Sequence, residues 1–502
     1  MEYLSLALGL LGLLALYSIQ RAGIYFTRRK LIRERGCQPP ARLPQKDPIF
    51  GLDIVFKVFK SFEERRRNMT LKELVDEYGS THQSKPYGVT RIFSIEPQNL
   101  QAVFATDFGS FGVEPLRLFN FKPFIGKGIM NSDGAFWEHS RALIKPTFAR
   151  TQISDLSSLE IHVSRLIDLI PKDGSTVNLQ PLFARLALDS STEFLLGESV
   201  RSLAPDSDID AKAFLAAYNY GQAGVGKRMQ LPPWNIFTLD KKFWESCKVA
   251  SEFVDKYVDR AFLNCALPAS DAKQSKYILA YELAKQTNDR VDIRNQLLNV
   301  FLPGHEATGV ALTNIFFLLA RHPVVWAKLR REVLDIRTEV INFELLKSLK
   351  YLQAVINETL RLHPAVGTMA RAALADIVLP TGGGISGKSP ILVRKGDVFA
   401  TSFYALHRRR DIYGDDADTF RPERWESLRP AHWTYMPFGG GPRICPGQQL
   451  ALTEVAYTTV RLLQRFEGIE NRDDVLEFVE QYKISTESRN GAKVAFLCES
   501  SA

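Results

Sequence analysis

The sequence predicts a mainly α-helical protein with a minor β lobe, an α+β fold behind an N-terminal membrane anchor helix. Three observations support this prediction. Residues 3–19 are uncharged and leucine-rich, residues 135–365 repeat apolar side chains at helical spacing, and residues 372–404 alternate apolar residues with Gly and Pro turns. No linker or internal repeat divides residues 50–500 of the 502-residue chain. We therefore expect one catalytic domain, residues 49–502, behind the anchor.

The N-terminus, residues 1–20, is predicted to be a transmembrane anchor. Its uncharged stretch is near the short end of the about 17–25 residues that span a bilayer. A cleaved signal peptide is the alternative, but no basic segment precedes the stretch and no small-residue cleavage site follows it. Residues 21–48 read as a basic juxtamembrane segment and a Pro-rich hinge. Because their positive charge favours the cytosolic side, the catalytic domain should be cytosolic.

After residue 48, the chain is predicted to be mostly helical, with a few strands. Residues 52–105 mix amphipathic helix with a strand near 89–95, and a long succession of helices follows. Two of these helices matter for function and are placed at 292–320 and 351–362. After the β-rich segment we expect a helix at 448–466 and a short strand region at the end of the chain.

Charge and cysteine content narrow the class of protein. The formal net charge of +8 suggests nucleic acid, but the basic residues are dispersed and no recognition motif accompanies them. The excess fits a surface that faces anionic lipid and an acidic electron donor, or simply a solvated surface. Five cysteines without paired spacing indicate a reducing compartment. Four of them are interpreted as structural thiols: Cys37, Cys247, Cys265 and Cys498.

Cys445 differs from the other cysteines because it lies in the glycine-rich segment 438–447, directly before a predicted helix. Glycines let a backbone lie close against a flat ligand, and a helix N-terminus with Arg443 nearby favours a thiolate. Such a thiolate would bind a heme iron and favour O–O cleavage. The alternative is that Cys445 is one more small buried hydrophobic residue.

The pattern F-x-x-G-x-R-x-C-x-G, carried by Phe438, Gly441, Arg443, Cys445 and Gly447, resembles the heme loop of the cytochromes P-450. The resemblance implies the cytochrome P-450 fold. It also implies heme b as the cofactor, with an axial thiolate from Cys445, and a propionate as a partner for Arg443.

The predicted helix 292–320 carries one formally charged residue, Glu306, between residues 296 and 320. Pro303 and Gly304 weaken the helix at this point; the structural alternative is a kink with Glu306 in a salt bridge. Residues 303–308 resemble the oxygen-binding groove of the cytochromes P-450, where the acid organises proton delivery. Ala307 replaces the usual threonine, and Thr308 lies about 100° further round the helix. We hypothesise that Thr308, an ordered water or a substrate hydroxyl supplies the missing donor.

Glu358 and Arg361 lie three residues apart on one helix face. An exposed pair of this kind would stabilise the helix by only about 0.2–0.5 kcal/mol. Upstream of residues 420–425, however, the pair resembles the family motif in which Glu358, Arg361 and Arg424 form a buried charge triad. Trp137 and Arg141, alternatively a packed Trp with a snorkelling Arg, resemble the family residues that bind a heme propionate. Arg371 occupies another such position.

Four further segments resemble the fungal branch that hydroxylates n-alkanes and fatty acids: residues 43–53, 379–384, 405–414 and 447–454. Relatives of that branch oxidise secondary metabolites such as polyketides and terpenoids. The resemblance implies a monooxygenase of the endoplasmic reticulum membrane that uses O2, NADPH-derived electrons from a flavoprotein reductase, and a hydrophobic substrate in an apolar pocket. Arg117 is one candidate partner for a substrate carboxylate, although we interpret it as a surface arginine.

Two other functions stay open at this stage. One is a heme-thiolate isomerase, dehydratase or peroxide-using enzyme that needs no reductase, an alternative that Ala307 keeps open. The other is a non-catalytic heme sensor or carrier. No nucleotide-binding G-x-G-x-x-G motif occurs in a βαβ setting, so the chain itself should not bind NADPH.

Overall fold

The computed structural model describes residues 2–205, 209–230, 240–266, 277–336 and 340–498. The chain forms two compact units. The first comprises Met1–Val55, Glu73–Phe111 and Ala370–Thr401, and the second comprises Phe56–Lys72, Gly112–Met369 and Ser402–Ala502. The predicted division into an anchor, a hinge and one catalytic domain stays a prediction. The N-terminal residues belong with the β-rich segment because both contribute strands to one sheet.

Helices account for most of the second unit. In chain order the α-helices of the described residues are α1 (Glu2–Arg35), α2 (Leu52–Glu63), α3 (Arg67–Tyr78), α4 (Pro97–Gln101), α5 (Glu114–Ile125), α6 (Gly134–Ile144), α7 (Arg150–Ile153), α8 (Ser157–Asp168), α9 (Leu179–Leu196), α10 (Ile209–Gln230), α11 (Lys241–Ala266), α12 (Leu279–Gln286), α13 (Arg290–Arg321), α14 (Pro323–Leu334), α15 (Phe343–Ser348), α16 (Lys350–Leu362), α17 (Phe403–Leu406), α18 (Arg410–Tyr413), α19 (Arg424–Ser427) and α20 (Gln448–Arg465).

The strands are β1 (Ala41–Arg42), β2 (Thr81–Ser84), β3 (Arg91–Ser94), β4 (Phe111–Gly112), β5 (Val177–Asn178), β6 (Thr368–Ala373), β7 (Ile377–Gly383), β8 (Ser389–Val393), β9 (Val398–Ser402), β10 (Gly468–Asn471), β11 (Glu480–Tyr482), β12 (Thr486–Ser488) and β13 (Lys493–Leu497). A six-stranded sheet in the order β1-β2-β3-β9-β6-β4 and the antiparallel hairpin β7–β8 form the β lobe. The sheet β10-β13-β5 and the hairpin β11–β12 belong to the second unit.

The helix at the N-terminus is longer than predicted. It continues to Arg35, and within it Leu8–Arg35 is the one described segment that is long and apolar enough to cross a membrane by itself. The Pro-rich segment after it pairs with the β lobe. The Gln38 N–H donates to the Pro390 carbonyl at 2.9 Å, and Pro40 bridges to Gly383. Backbone pairing therefore docks this segment on the β7–β8 hairpin.

Helix α13 is the central element of the second unit. Its first half, with Leu297 and Phe301, lies in a hydrophobic core shared with α10 and α11. Its second half, with Leu312 and Phe316, lies in another core that includes α16 and α20. The predicted positions of α13, α16 and α20 are confirmed to within two residues at each end. The helix that carries Glu306 therefore joins the two cores of its unit.

Candidate functional site

The cysteine loop depends on glycine conformations. Gly439 and Gly441 have φ values of 73° and 66°, in the left-handed region that glycine adopts without strain. A Cβ at Gly440 would lie 2.5 Å from the Trp433 ring, so this position also excludes a side chain. The Cys445 N–H donates to the Phe438 carbonyl at 3.1 Å, and α20 begins three residues later. The loop thus holds the cysteine partly exposed at the start of a helix.

The electrostatics of Cys445 differ from the sequence prediction. Burial raises the pKa of the Cys445 thiol, although the Gly447 N–H and the Arg141 charge both lower it. The helix N-terminus and Arg443 therefore do not produce a thiolate by themselves, because desolvation outweighs them. A coordinated metal ion deprotonates its thiol ligand. A bound iron would thus supply the missing positive charge.

Three of the predicted cofactor-binding residues lie together. Arg443 donates to the Asp133 carboxylate at 2.7 Å, and its guanidinium carbon lies 4.4 Å from the centre of the Trp137 ring. The Arg141 guanidinium lies 5.8 Å from the same ring centre and donates to the Ile444 carbonyl at 3.2 Å. The indole therefore organises two guanidinium groups beside the cysteine loop.

A further arginine joins this cluster. Arg117, predicted to be a surface residue, is half-buried and donates to the Met130 carbonyl at 3.1 Å. Burial lowers the pKa of Arg117, while the nearby Asp133 raises it. Burial likewise lowers the pKa of Arg443 to about 10. The surface interpretation of Arg117 was wrong because its guanidinium packs inward from α5.

The counter-charges of the cluster were not predicted. The Asp133 carboxylate accepts the N–H groups of Val113 and Glu114 at 3.0 and 2.7 Å, where α5 begins. Glu114 also pairs with Lys127 at 3.4 Å. The cluster holds more cations than carboxylates: the cations are Arg117, Lys127, Arg141 and Arg443, and the carboxylates are Glu114 and Asp133. This excess of positive charge suits a ligand that carries two carboxylates. The one sequence signal was an acidic residue directly before a helix.

One turn near the middle of helix α13 is exposed. Phe301 and Leu302 are buried, the next two residues, Pro303 and Gly304, are exposed, and Ala307 is partly exposed. A Cβ added at Gly304 would meet only the Ser191 hydroxyl oxygen, 3.9 Å away, so the space beside this turn is open. Ala307 and Pro303 lie one helical turn apart, so both border this space on one face.

Glu306 flanks this opening. Its two carboxylate oxygens accept hydrogen bonds from Gln222 of α10 and from Ser485 between β11 and β12. Burial raises the pKa of Glu306 to about 7, and the hydrogen bond from Ser485 offsets this only in part. Lys483 acts from further away and forms its own ion pair with Glu487 at 2.7 Å. The alternative of a salt-bridged Glu306 is therefore not what the structure shows.

Thr308 does not fit the role of missing donor. Its side chain is buried, and its hydroxyl donates to the Glu454 carboxylate of α20 at 3.1 Å. Glu454 also accepts a hydrogen bond from Ser190 of α9, and burial raises its pKa. Positions 306 and 308 of a helix point about 200° apart. The structure therefore does not bring Thr308 and Glu306 together. The Thr308 hydroxyl instead links α13 to α20 through its hydrogen bond to Glu454.

The predicted charge triad is present. Glu358 and Arg361 are fully buried, and their two parallel hydrogen bonds are both 2.8 Å long. Arg424 donates to the same carboxylate at 3.3 Å and to Asp416 at 2.8 Å. The Trp425 indole N–H adds a hydrogen bond of 3.0 Å. A buried charge on Glu358 would be unfavourable in an apolar interior, but both of its carboxylate oxygens accept hydrogen bonds here.

The triad reaches the cysteine loop through His407. Arg361 donates to the His407 carbonyl at 2.8 Å, and the His407 ring accepts the Met436 N–H at 2.8 Å. Burial, together with the charges of Arg361 and Arg408, lowers the pKa of His407 to about 3. A neutral imidazole can accept this hydrogen bond. Because Met436 precedes Phe438 by two residues, the triad positions the start of the loop.

Phe438 and Arg371 are two further residues predicted to bind the cofactor. Phe438 is partly buried and packs against the core that contains α20. Arg371 belongs to the first unit, where it is buried, donates to the Ala370 carbonyl at 2.9 Å and lies 4.8 Å from the centre of the Phe104 ring. The role of Arg371 toward a propionate stays a prediction.

These features fit one class of cofactor. A glycine-lined loop that presents a cysteine, a cluster with excess positive charge, and a helix with an exposed turn at its midpoint suit a flat, doubly anionic group bound through sulfur. The site thus has the properties of a heme-thiolate site. The cytochrome P-450 family model matches residues 44–492, and the chain belongs to this family. The family uses heme, with the iron bound by a cysteine thiolate.

Three similar proteins are fungal enzymes. The chain is 37% identical to the cytochrome P-450 monooxygenase fsdH of Fusarium heterosporum, over 98% of this chain and 89% of that protein. It is 39% identical to the cytochrome P-450 monooxygenase himC of Aspergillus japonicus, over 92% and 84%. It is 45% identical to cytochrome P-450 52A5 of Candida maltosa, over 88% of each chain. The chain is therefore a cytochrome P-450 monooxygenase.

We predict that Arg361→Ala destabilises the second unit by about 3–5 kcal/mol, because it leaves the buried Glu358 without its main partner. The variant should lose heme, since His407 is no longer held beside Met436. Denaturant unfolding and the heme-to-protein absorbance ratio measure both effects.

Arg421→Ala is the matched control, since Arg421 is 50% exposed and pairs with Asp416 at 2.8 Å. It should cost about 0–1 kcal/mol and leave heme binding intact. If Arg361→Ala retained full heme occupancy, the connection from the triad to the loop would be refuted.

Proposed function

We propose that this protein is a membrane-bound monooxygenase that inserts one oxygen atom from O2 into a hydrophobic organic substrate. Its electrons come from NADPH through a flavoprotein reductase on the same endoplasmic reticulum membrane. The observation that supports this most directly is the exposed turn of α13 at Pro303 and Gly304, in the unit that also carries the Cys445 loop. An anchor helix and family membership support the membrane setting.

The residues that would hold the cofactor follow from the site. Cys445 would bind the iron, and Arg141, Arg443 and Trp137 would pair with the propionates, with Arg371 as a further candidate. When bound, heme supplies oxygen activation, which the thiolate favours by donating electron density. The chain contributes the pocket, the charge balance and the proton supply.

The substrate pocket is proposed to lie beside the exposed turn of α13. Met369 lies 3.4 Å from the Cβ position of Gly439, so it borders the cysteine loop. Phe119 is 56% exposed on α5 and offers an apolar wall. Gln222, Ser485 and Glu306 add a polar group of residues at the other end of the opening. This arrangement favours a substrate with a hydrogen-bonding group, such as a polyketide or a fatty acid, over an n-alkane.

The proton supply is proposed to depend on Glu306. Its carboxyl carries a proton over part of the neutral range because burial raises its pKa to about 7. Gln222 and Ser485 orient the carboxyl beside the opening. An ordered water or a substrate hydroxyl at Ala307 would then take the place of the missing side-chain alcohol.

We predict that Ala307→Thr increases the coupling of NADPH consumption to product, because it places a hydroxyl on the open face of α13. Thr308→Ala should leave coupling unchanged, since the Thr308 hydroxyl is already engaged by Glu454. The measurement is hydrogen peroxide released per NADPH consumed with a reductase. A rise in peroxide release with Thr308→Ala alone would restore Thr308 as the donor.

We predict that coupling falls as the pH rises through about 7, because Glu306 is protonated below that pH and loses its proton above it. Glu306→Gln should remove this dependence between pH 6 and 8, roughly one unit on each side of the Glu306 pKa. Asp292→Asn on the same helix is the control and should keep the wild-type profile. A profile that Glu306→Gln leaves unchanged would exclude Glu306 as the proton donor.

We predict that the reduced chain under carbon monoxide shows the red-shifted Soret band of a thiolate-bound heme, and that Cys445→Ala abolishes it. Cys247→Ala, which removes a buried thiol of the α11 core, should retain the band. Product formation without NADPH would instead indicate an isomerase or a peroxide-using enzyme. Heme-loaded wild-type protein without the band would overturn the proposed function.

A further inference from the structure

The anchor helix is clasped to the β lobe by a bidentate ion pair. Arg28 of α1 donates from Nε to Asp376 Oδ2 at 2.7 Å and from Nη2 to Asp376 Oδ1 at 2.8 Å. Both side chains are about three-quarters buried, with exposed fractions of 23% and 25%. Asp376 also accepts the Lys395 N–H at 2.7 Å, which fixes its carboxylate. Bidentate, largely buried pairs of this kind are the strong ones among ion pairs near a protein surface.

A second attachment lies at the end of the same helix. The Gln38 N–H donates to Pro390 at 2.9 Å, and the Gly384 N–H donates to Pro39 at 3.0 Å. Between the two attachments is Gly36, whose φ of 63° ends the helix and whose added Cβ would meet no neighbour within 4 Å. A helix held only at Gln38 could swing about Gly36. The contact at Arg28, roughly 10 Å up the helix from Arg35, blocks that movement.

The position of the clasp along the helix places it at the membrane surface. About 20 residues span the hydrocarbon core of a bilayer, so a span that begins at Tyr3 ends near residue 22, and the charged C-terminal part of the segment Leu8–Arg35 lies outside that core. Tyr25 and Phe26 follow, 52% and 67% exposed, where aromatic side chains mark the membrane–water interface. Arg28 comes two residues later, so it lies at the level of the lipid headgroups.

We propose that α1 and the β lobe form one rigid body, clasped by Arg28 and Asp376, whose rim beside the clasp contacts anionic phospholipid headgroups. The rim comprises Leu374, Arg394 and Lys395, all exposed. It is continuous with the anchor because Lys395 and Asp376 share a hydrogen bond. Its cations, with Arg29 and Lys30 on the helix, complement a negative leaflet. The inference rests on the proposed anchoring of α1 in a bilayer and not on the reaction.

Hydrogen exchange on the full-length holoenzyme tests this proposal. The probes are phosphatidylcholine vesicles with and without phosphatidylserine, compared with detergent micelles. Residues 372–378 and 392–398 should exchange more slowly in vesicles that contain phosphatidylserine. Arg28→Ala should speed their exchange roughly fivefold, toward the rate in micelles, because the lobe can then swing away. Arg29→Ala, which removes a neighbouring cation outside the clasp, should keep most of the protection.

A charge swap provides the rescue. Arg28→Asp and Asp376→Arg should each lose the protection, and the double variant should regain it. Equal protection in Arg28→Ala and Arg29→Ala, or no rescue by the swap, would overturn the clasp. Equal protection without phosphatidylserine would overturn the recognition of anionic headgroups. The carbon monoxide spectrum reports separately on the proposed function, since all these variants should keep the Soret band whatever their exchange rates.

Discussion

The whole cysteine loop depends on one buried carboxylate. Glu358 is taken out of water completely, and it is tolerable there only because Arg361, Arg424 and Trp425 all donate to it. Arg361 then has donors left for the backbone of the segment that leads to the loop, including the His407 carbonyl. The same contacts therefore neutralise the Glu358 charge and position the segment that leads to the cysteine loop. A loop rich in glycine has little stiffness of its own and must be positioned from outside.

Glu306 is the chemical counterpart of this structural carboxylate. Both lie within helices of the same unit, but Glu358 has guanidinium partners and Glu306 has the neutral Gln222 and Ser485. Hydrogen bonds from neutral donors do not fully compensate a carboxylate for its lost hydration, so the pKa of Glu306 rises to about 7. The partners of each carboxylate therefore decide its role. Glu358 holds the fold through its guanidinium partners, and the raised pKa of Glu306 suits a group that gains or loses a proton near neutral pH.

The sequence was informative where a contact depends on neighbours in the chain. The helix that carries Glu306, the turn around Cys445 and the pair Glu358–Arg361 could all be predicted, because periodicity and short spacing specify them. Contacts between distant segments left no such signal. Examples are Asp133 with Arg443 and Thr308 with Glu454, which join residues 310 and 146 positions apart. The boundaries between the two units likewise carry no change in composition.

The alanine at position 307, where the family usually has threonine, lies at an open position of α13, whereas Thr308 beside it is packed. Thr308 faces a buried carboxylate, so replacing it would disturb the contact between α13 and α20. Ala307 is partly exposed and belongs to neither hydrophobic core, so a change of side chain there leaves both cores intact. A substitution there alters what a bound molecule meets while costing the fold little. Helix α13 can thus stay fixed at both ends while the chemistry of its open turn varies.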